Sequence, residues 1–289
     1  MRYYLGQRLG LACLAFGLLV GCGAKPSREE AAEGGLASGR PEELHDARMV
    51  YQRADGIWLL ELGKGQPRRL AGGGSWPRWA PDGKGLAFLR DDEVLLFDLA
   101  GGRERKLAVV PGARTLAYHP DGSQVWVAGE QGVSSVEVNS GQVTKVHRST
   151  AFYELQVAAG GEFFVGTAKS LGWRVRSVDV ATGKVTELGR GCSASLSPRG
   201  HLATINLDGH RQLALIDLKT GQERRRLDAP PGLKLDNQKW SNHADWMAVV
   251  IEGERQDVGV QRVGDGRVWR LSDVGDADRP DLWVVGGGR

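Results

Sequence analysis

Trp79-Ala-Pro-Asp-Gly83 returns 39 residues later as Tyr118-His-Pro-Asp-Gly122, and this recurrence decides the fold. It comes back degraded as Val157-Ala-Ala-Gly-Gly161 and then as Leu196-Ser-Pro-Arg-Gly200, so that leading residues 79, 118, 157 and 196 are each 39 apart. Further copies are Trp240-Ser-Asn-His243, 44 residues after Leu196, and Leu282-Trp283, whose Trp283 stands 43 after Trp240; longer loops account for these steps. A period near forty residues is the mark of a repeat architecture. The motif has a local mechanism. Pro presets φ at the first turn position, Asp bonds its own backbone, and Gly accepts positive φ. These residues, and Trp79, Trp240 and Trp283 beside them, are read as turn formers and core packing.

Each copy opens the same succession. An apolar run follows (Leu86-Ala-Phe88, Val125-Trp-Val127, Phe163-Phe-Val165, Leu202-Ala-Thr204, Met247-Ala-Val249). A second run ends on an acid at Asp98, Glu137, Asp179 and Asp217, read as hydrogen-bonded turn residues. A glycine-containing turn and a final run ending on an apolar residue complete the unit. Short alternating runs broken by turn residues are half-buried strands joined by hairpins. Four strands in about forty residues make one β-propeller blade.

The first unit is incomplete. Tyr51, Ile57, Glu61 and Leu70 match Phe88, Val94, Asp98 and Leu107, each 37 residues later, but Glu42–Asp46 is too polar for an innermost strand. The missing strand stands at the other end, in Pro280-Asp-Leu-Trp-Val284. Sharing one blade between both ends removes two exposed sheet edges, which are a liability. The expected fold is therefore all-β: a six-bladed propeller over 47–285, closed by N- and C-terminal strands, with a tail at 286–289.

Trp79-Ala-Pro-Asp-Gly83-Lys84, Leu86-Ala-Phe88, Leu95-Leu-Phe-Asp-Leu99 and Arg105-Lys-Leu107 together resemble the Pro-Asp-Gly repeat of TolB-type periplasmic propellers, a cousin of the WD repeat. The resemblance implies a propeller in the cell envelope. TolB itself carries a separate α/β domain before its propeller, and only a short polar stretch stands there in this chain. Prolyl-oligopeptidase-type enzymes share the propeller, but their activity resides in an α/β-hydrolase domain with a Gly-x-Ser-x-Gly elbow, which this sequence lacks.

Residues 1–21 read as a signal peptide: Arg2 and Arg8 without an acid, an apolar run from Leu9 to Val20, and a small residue at the cleavage point. Leu19-Val20-Gly21-Cys22 resembles the lipobox of bacterial lipoproteins. That resemblance implies cleavage before Cys22, a diacylglycerol thioether on its sulfur, and attachment to a membrane. Gly23, by analogy with the retention rule of enteric bacteria, directs the protein to the outer membrane, facing the periplasm. Residues 22–46 are read as a flexible tether, poor in large apolar side chains. As a coil it averages on the order of 25–30 Å end to end.

Among 38 basic residues only Arg2 and Arg8 leave with the signal, so 36 face 35 acids in the remainder, and a nucleic-acid footprint is not expected. Cys13 leaves and Cys22 carries lipid, so Cys192 has no disulfide partner in the chain and is read as a small buried hydrophobe. Histidines 45, 119, 147, 201, 210 and 243 show no metal-ligand spacing, His201 and His210 included. Asp273, Asp276, Asp278 and Asp281 read as a solvated loop, with a Ca²⁺ site as the alternative. Arg224-Arg-Arg226 reads as a charged outer edge.

No catalytic residue, cofactor or metal is expected, and Cys22 is the one assigned site. The expectation is a monomeric, membrane-anchored lipoprotein, a non-enzymatic interaction scaffold for an envelope protein. The alternatives are a lactonase- or lyase-like enzyme and a glycan or small-ligand binder at the channel mouth.

Overall fold

The computed structural model describes residues 35–287, and Cys22 with its signal peptide lies outside them. Six antiparallel sheets follow one another along the chain. The first blade holds β1 (Arg48–Arg53), β2 (Gly56–Glu61) and β3 (Pro67–Gly72). The second holds β4 (Ser75–Trp79), β5 (Gly85–Arg90), β6 (Glu93–Asp98) and β7 (Arg103–Val109). The third runs through β8 (Ala113–Tyr118), β9 (Gln124–Gly129), β10 (Gly132–Glu137) and β11 (Val143–His147). The fourth has β12 (Phe152–Val157), β13 (Phe163–Ser170), β14 (Gly172–Asp179) and β15 (Val185–Arg190). The fifth has β16 (Leu202–Leu207), β17 (Gln212–Asp217) and β18 (Glu223–Asp228). The sixth has β19 (Lys234–Trp240), β20 (Trp246–Glu252), β21 (Asp257–Arg262) and β22 (Val268–Arg270).

The ring closes as the sequence requires. The last strand, β23 (Asp278–Trp283), pairs antiparallel with β1, placing Arg48 opposite Trp283 and Met49 opposite Leu282. The Pro-Asp-Gly turn joins an innermost strand to the next. Gly83 and Gly122 adopt φ of +66° and +78°, and Gly83 N–H donates to Ala80 O. Asp98, Asp179 and Asp217 accept backbone N–H groups of their own turns, from Gly101, Thr182 and Thr220. Glu137 instead takes the Gln124 amide, because its longer side chain reaches past the turn.

Apolar residues fill the gaps between blades. One buried cluster joins Met49 and Tyr51 to Trp246 and Val260, and others join successive blades around the ring. Middle strands touch a neighbour on both faces, so β5 and β20 are apolar on both. Outer strands meet solvent, and β18 carries Arg224, Arg225 and Arg226 there, with Arg224 paired to Asp217 and Arg226 to Glu223.

Two expectations are corrected. From Gly35 onward the expected tether is docked on the propeller. Ala37 N–H donates to Val268 O, Leu36 packs beside Leu233 and Val249, and Leu44 is fully buried in a 3-10 turn at Glu42–Leu44. Arg40 also bonds to the carbonyls of Leu62 and Gly65. A few apolar residues suffice because the ring offers them ready-made sites. The second correction concerns 273–281, read as a solvated loop: β23 already begins at Asp278, two residues before the expected strand, and Asp281 within that strand is buried.

Candidate functional site

The inner strands line a central channel. At its narrow level lie Arg78, Gln156, Ser195, Lys239 and Asp281, one from each of five of the six blades, and Asp281, Gln156 and Ser195 reach the next blade's backbone. Trp79 N–H donates to Asp281 at 2.8 Å, Leu196 N–H to Gln156 at 3.1 Å, and Trp240 N–H to Ser195 at 2.9 Å. Lys239 Nζ stands 3.9 Å from Asp281 and donates to Gln156. Burial still wins over that pairing and pushes the Lys239 ammonium down to about 8.

Three residues before each leading position the inner strands bulge. These positions are Trp76, Thr115, Glu154, Ser193, Asn237 and Arg279, at or beside register shifts in five of the blades and in the broken inner segment of the fifth blade. Trp76, Ser193, Asn237 and Arg279 adopt φ between +49° and +58°, a left-handed conformation that costs non-glycine residues about 1–2 kcal/mol each. Such strain persists where surrounding contacts over-determine it. Arg279 is held by Asn237, by Asp278 at 3.4 Å, by Glu154 at 3.8 Å, and by stacking 4.1 Å from the Trp76 ring. Glu154 also accepts from Thr167 and from Ala194 N–H, yet its burial raises its pKa.

Above this ring the channel opens into a cavity of ≈ 500 Å³ lined by Arg114, Tyr153, Trp173, Cys192, His210 and Asp236, among others. Its rim is aromatic on one side: Tyr153 and Trp173 meet edge to face at 5.0 Å, with Arg114 over Tyr153 and Lys169 over Trp173. The β13–β14 hairpin has eight-residue strands where β5, β6, β9, β10, β16 and β17 have six. Its added length carries Leu171, 91 % exposed, and Trp173, 40 % exposed, beyond the ring.

The opposite side is polar. Cys192 Sγ lies 3.5 Å from His210 Nε2, which lies 3.8 Å from Asp236, while Glu252 holds His210 Nδ1 at 2.9 Å. Burial, together with Glu154, Asp236 and Glu252, pushes the Cys192 thiol up to about 12. Cys192 is thus corrected from a buried hydrophobe to a half-buried channel residue. The bulge at Ser193 breaks the inner strand there into isolated bridges and turns Cys192 toward the cavity.

His201 and His210 flank opposite ends of β16 and do not meet. The four aspartates of 273–281 do not converge on a cation. Asp273 faces Arg255, Asp276 faces Arg53, Asp278 faces Asn237 and Arg279, and Asp281 faces Trp79.

The architecture is that of the TolB-like six-bladed propellers. The chain is similar to TolB from Acinetobacter baumannii, with a TM-score of 0.67, 19% identity, and coverage of 85% of this chain and 68% of that one. A putative TolB from Agrobacterium tumefaciens gives 0.66 at 16% identity, over 84% and 95%. Kuenenia stuttgartiensis hydrazine synthase gives 0.53 at 18% identity, over 71% and 68%. Comparison with protein-family models yields no match, and neither does comparison with curated proteins.

Proposed function

We propose that this chain is a non-enzymatic cell-envelope protein, held to a membrane through lipid on Cys22, whose propeller binds a partner protein across its wide channel mouth. The outer membrane, facing the periplasm, is the proposed location, and the propeller acts as a monomer. The observation that carries the reading is the elongated β13–β14 hairpin. It raises Leu171 and Trp173 into solvent beside a cavity walled by Tyr153 and Trp76. Exposed aromatic and aliphatic side chains next to a pocket have the make-up of an interface hot spot. The TolB-like fold supports the same reading as a rigid scaffold whose loops meet partners.

The test is photo-crosslinking from position 171 in detergent-solubilised envelopes. One discrete adduct is expected, lost in a Leu171→Asp/Trp173→Ala variant that melts like the parent. An unchanged adduct in the variant, or no adduct at all, would sink the proposal. A channel-mouth enzyme is the second reading, favoured by the convergence of Cys192, His210 and Glu252 in a nucleophile–base–carboxylate order. Turnover of lactone or thioester substrates that vanishes in His210→Ala would select it.

A further inference from the structure

The geometry points to a zinc site at the wide mouth, with Cys192 Sγ, His210 Nε2 and an Asp236 carboxylate oxygen as three protein ligands and a fourth position open to the cavity. This inference does not rest on the partner reading. The three ligand atoms lie within 4.8 Å of one another. Zinc bonds of about 2.3 Å to sulfur and about 2.0 Å to nitrogen set those two atoms about 3.5 Å apart in a tetrahedron. The Cys192–His210 separation is 3.5 Å. The His210–Asp236 separation of 3.8 Å closes to the tetrahedral value with a small rotation of a carboxylate that is only partly buried.

The surroundings orient the ligands. Glu252 holds His210 Nδ1 at 2.9 Å, the carboxylate–histidine arrangement that leaves Nε2 free for a metal. Ser193 Oγ donates to Asp236 at 3.2 Å. The blades that supply these residues are tied backbone to backbone, Leu235 N–H to His210 O at 2.7 Å, and Asn206 bridges to Leu235 O. His210 itself sits at φ +72° in the β16–β17 turn, which aims its ring across the blade boundary.

Charge favours a cation over a free nucleophile. Asp236 and Glu252 both stand against His210, next to Cys192, and a bound dication answers that negative charge and holds the sulfur as a thiolate. A thiolate and an imidazole select zinc over calcium or magnesium, which take oxygen ligands. Three protein ligands and one open position are the pattern of a reactive zinc site. The donor this site would accept is an anion or a carboxylate entering the cavity.

The test uses the full chain in detergent, stripped with chelator and titrated with Zn²⁺ against a chromophoric competitor, then with Co²⁺ as a spectroscopic probe. One Zn²⁺ per chain is expected, together with a thiolate-to-cobalt charge-transfer band. Cys192→Ser is expected to lose the band. Glu252→Gln, which removes no ligand, is expected to weaken Zn²⁺ binding roughly 10–100-fold. Absence of saturable binding, a cobalt spectrum without the thiolate band, or unchanged affinity in Cys192→Ser would each overturn the site. Should Cys192→Ser misfold, the wild-type cobalt spectrum and His210→Gln decide the matter.

Discussion

Gly83→Ala and Gly122→Ala place the same methyl in the same turn, yet their consequences differ because of what lies opposite. Both glycines hold positive φ, so each substitution carries backbone strain of about 1–2 kcal/mol. At Gly122 the added carbon meets only Pro81 Cδ, 3.9 Å away. At Gly83 it collides with Cε2 and Cζ2 of Trp283 and lies 2.7 Å from Nε1. Trp283 is partly buried and held on two sides. The Arg48 guanidinium stacks 4.5 Å from its ring, the same guanidinium donates to Gly83 O at 2.8 Å, and Trp79 closes the other side with ring centroids 6.5 Å apart. Overpacking of this kind adds about 1–3 kcal/mol. Gly83→Ala is therefore expected to be less stable than Gly122→Ala by that added amount, in urea denaturation followed by tryptophan fluorescence. At about 2–4 °C per kcal/mol for a domain of roughly this size, its Tm also falls several degrees lower. Equal destabilisation of the two variants would refute the packing of Trp283 on this turn, and with it the description of the closing corner.

Other outcomes follow from the same structure. Leu282→Ala empties a fully enclosed position in the closing strand, and a loss of about 2–5 kcal/mol is expected by urea denaturation. Lys239 binds its proton less tightly folded, at about 8, than unfolded, so wild-type stability should rise relative to Lys239→Gln between pH 8 and 10, and parallel curves would contradict its burial. Leu44→Ala should loosen the docked segment before β1 and raise protease cleavage near 35–46, while unchanged cleavage would show the docking to be incidental. Wild-type chain should incorporate labelled fatty acid and Cys22→Ser should not; an unlabelled wild type would remove the lipid anchor, and label retained in the variant would remove Cys22 as its site.

The repeat was legible because its turn chemistry is local: Pro, Asp and Gly at fixed places need no knowledge of distant residues. Closure was legible too, since Tyr51, Ile57 and Glu61 lacked an inner partner and 280–284 supplied one. The channel was not. Trp76, Thr115, Glu154, Ser193, Asn237 and Arg279 share a position and no chemistry, so only the repeat spacing, carried three residues upstream of each motif, marks them as equivalent. Cys192, His210 and Asp236 come from a broken strand, a turn and a bulged strand of adjoining blades, and no spacing rule reaches across that boundary. The docked segment at 35–46 was hidden by composition, because Leu36 and Leu44 are isolated among polar residues and bury themselves only on a surface made elsewhere.

The pairing of β1 with β23 also governs the order in which the protein can be made. Arg53 and Asp276, which meet at that seam, are separated by 223 residues. During synthesis the first blade keeps a bare edge until its partner strand emerges, and such an edge pairs with whatever strand comes within reach, a second copy included. The same wait applies wherever the chain folds, because β23 follows all five other blades in the chain. The first blade, begun earliest, is therefore the last that can be completed.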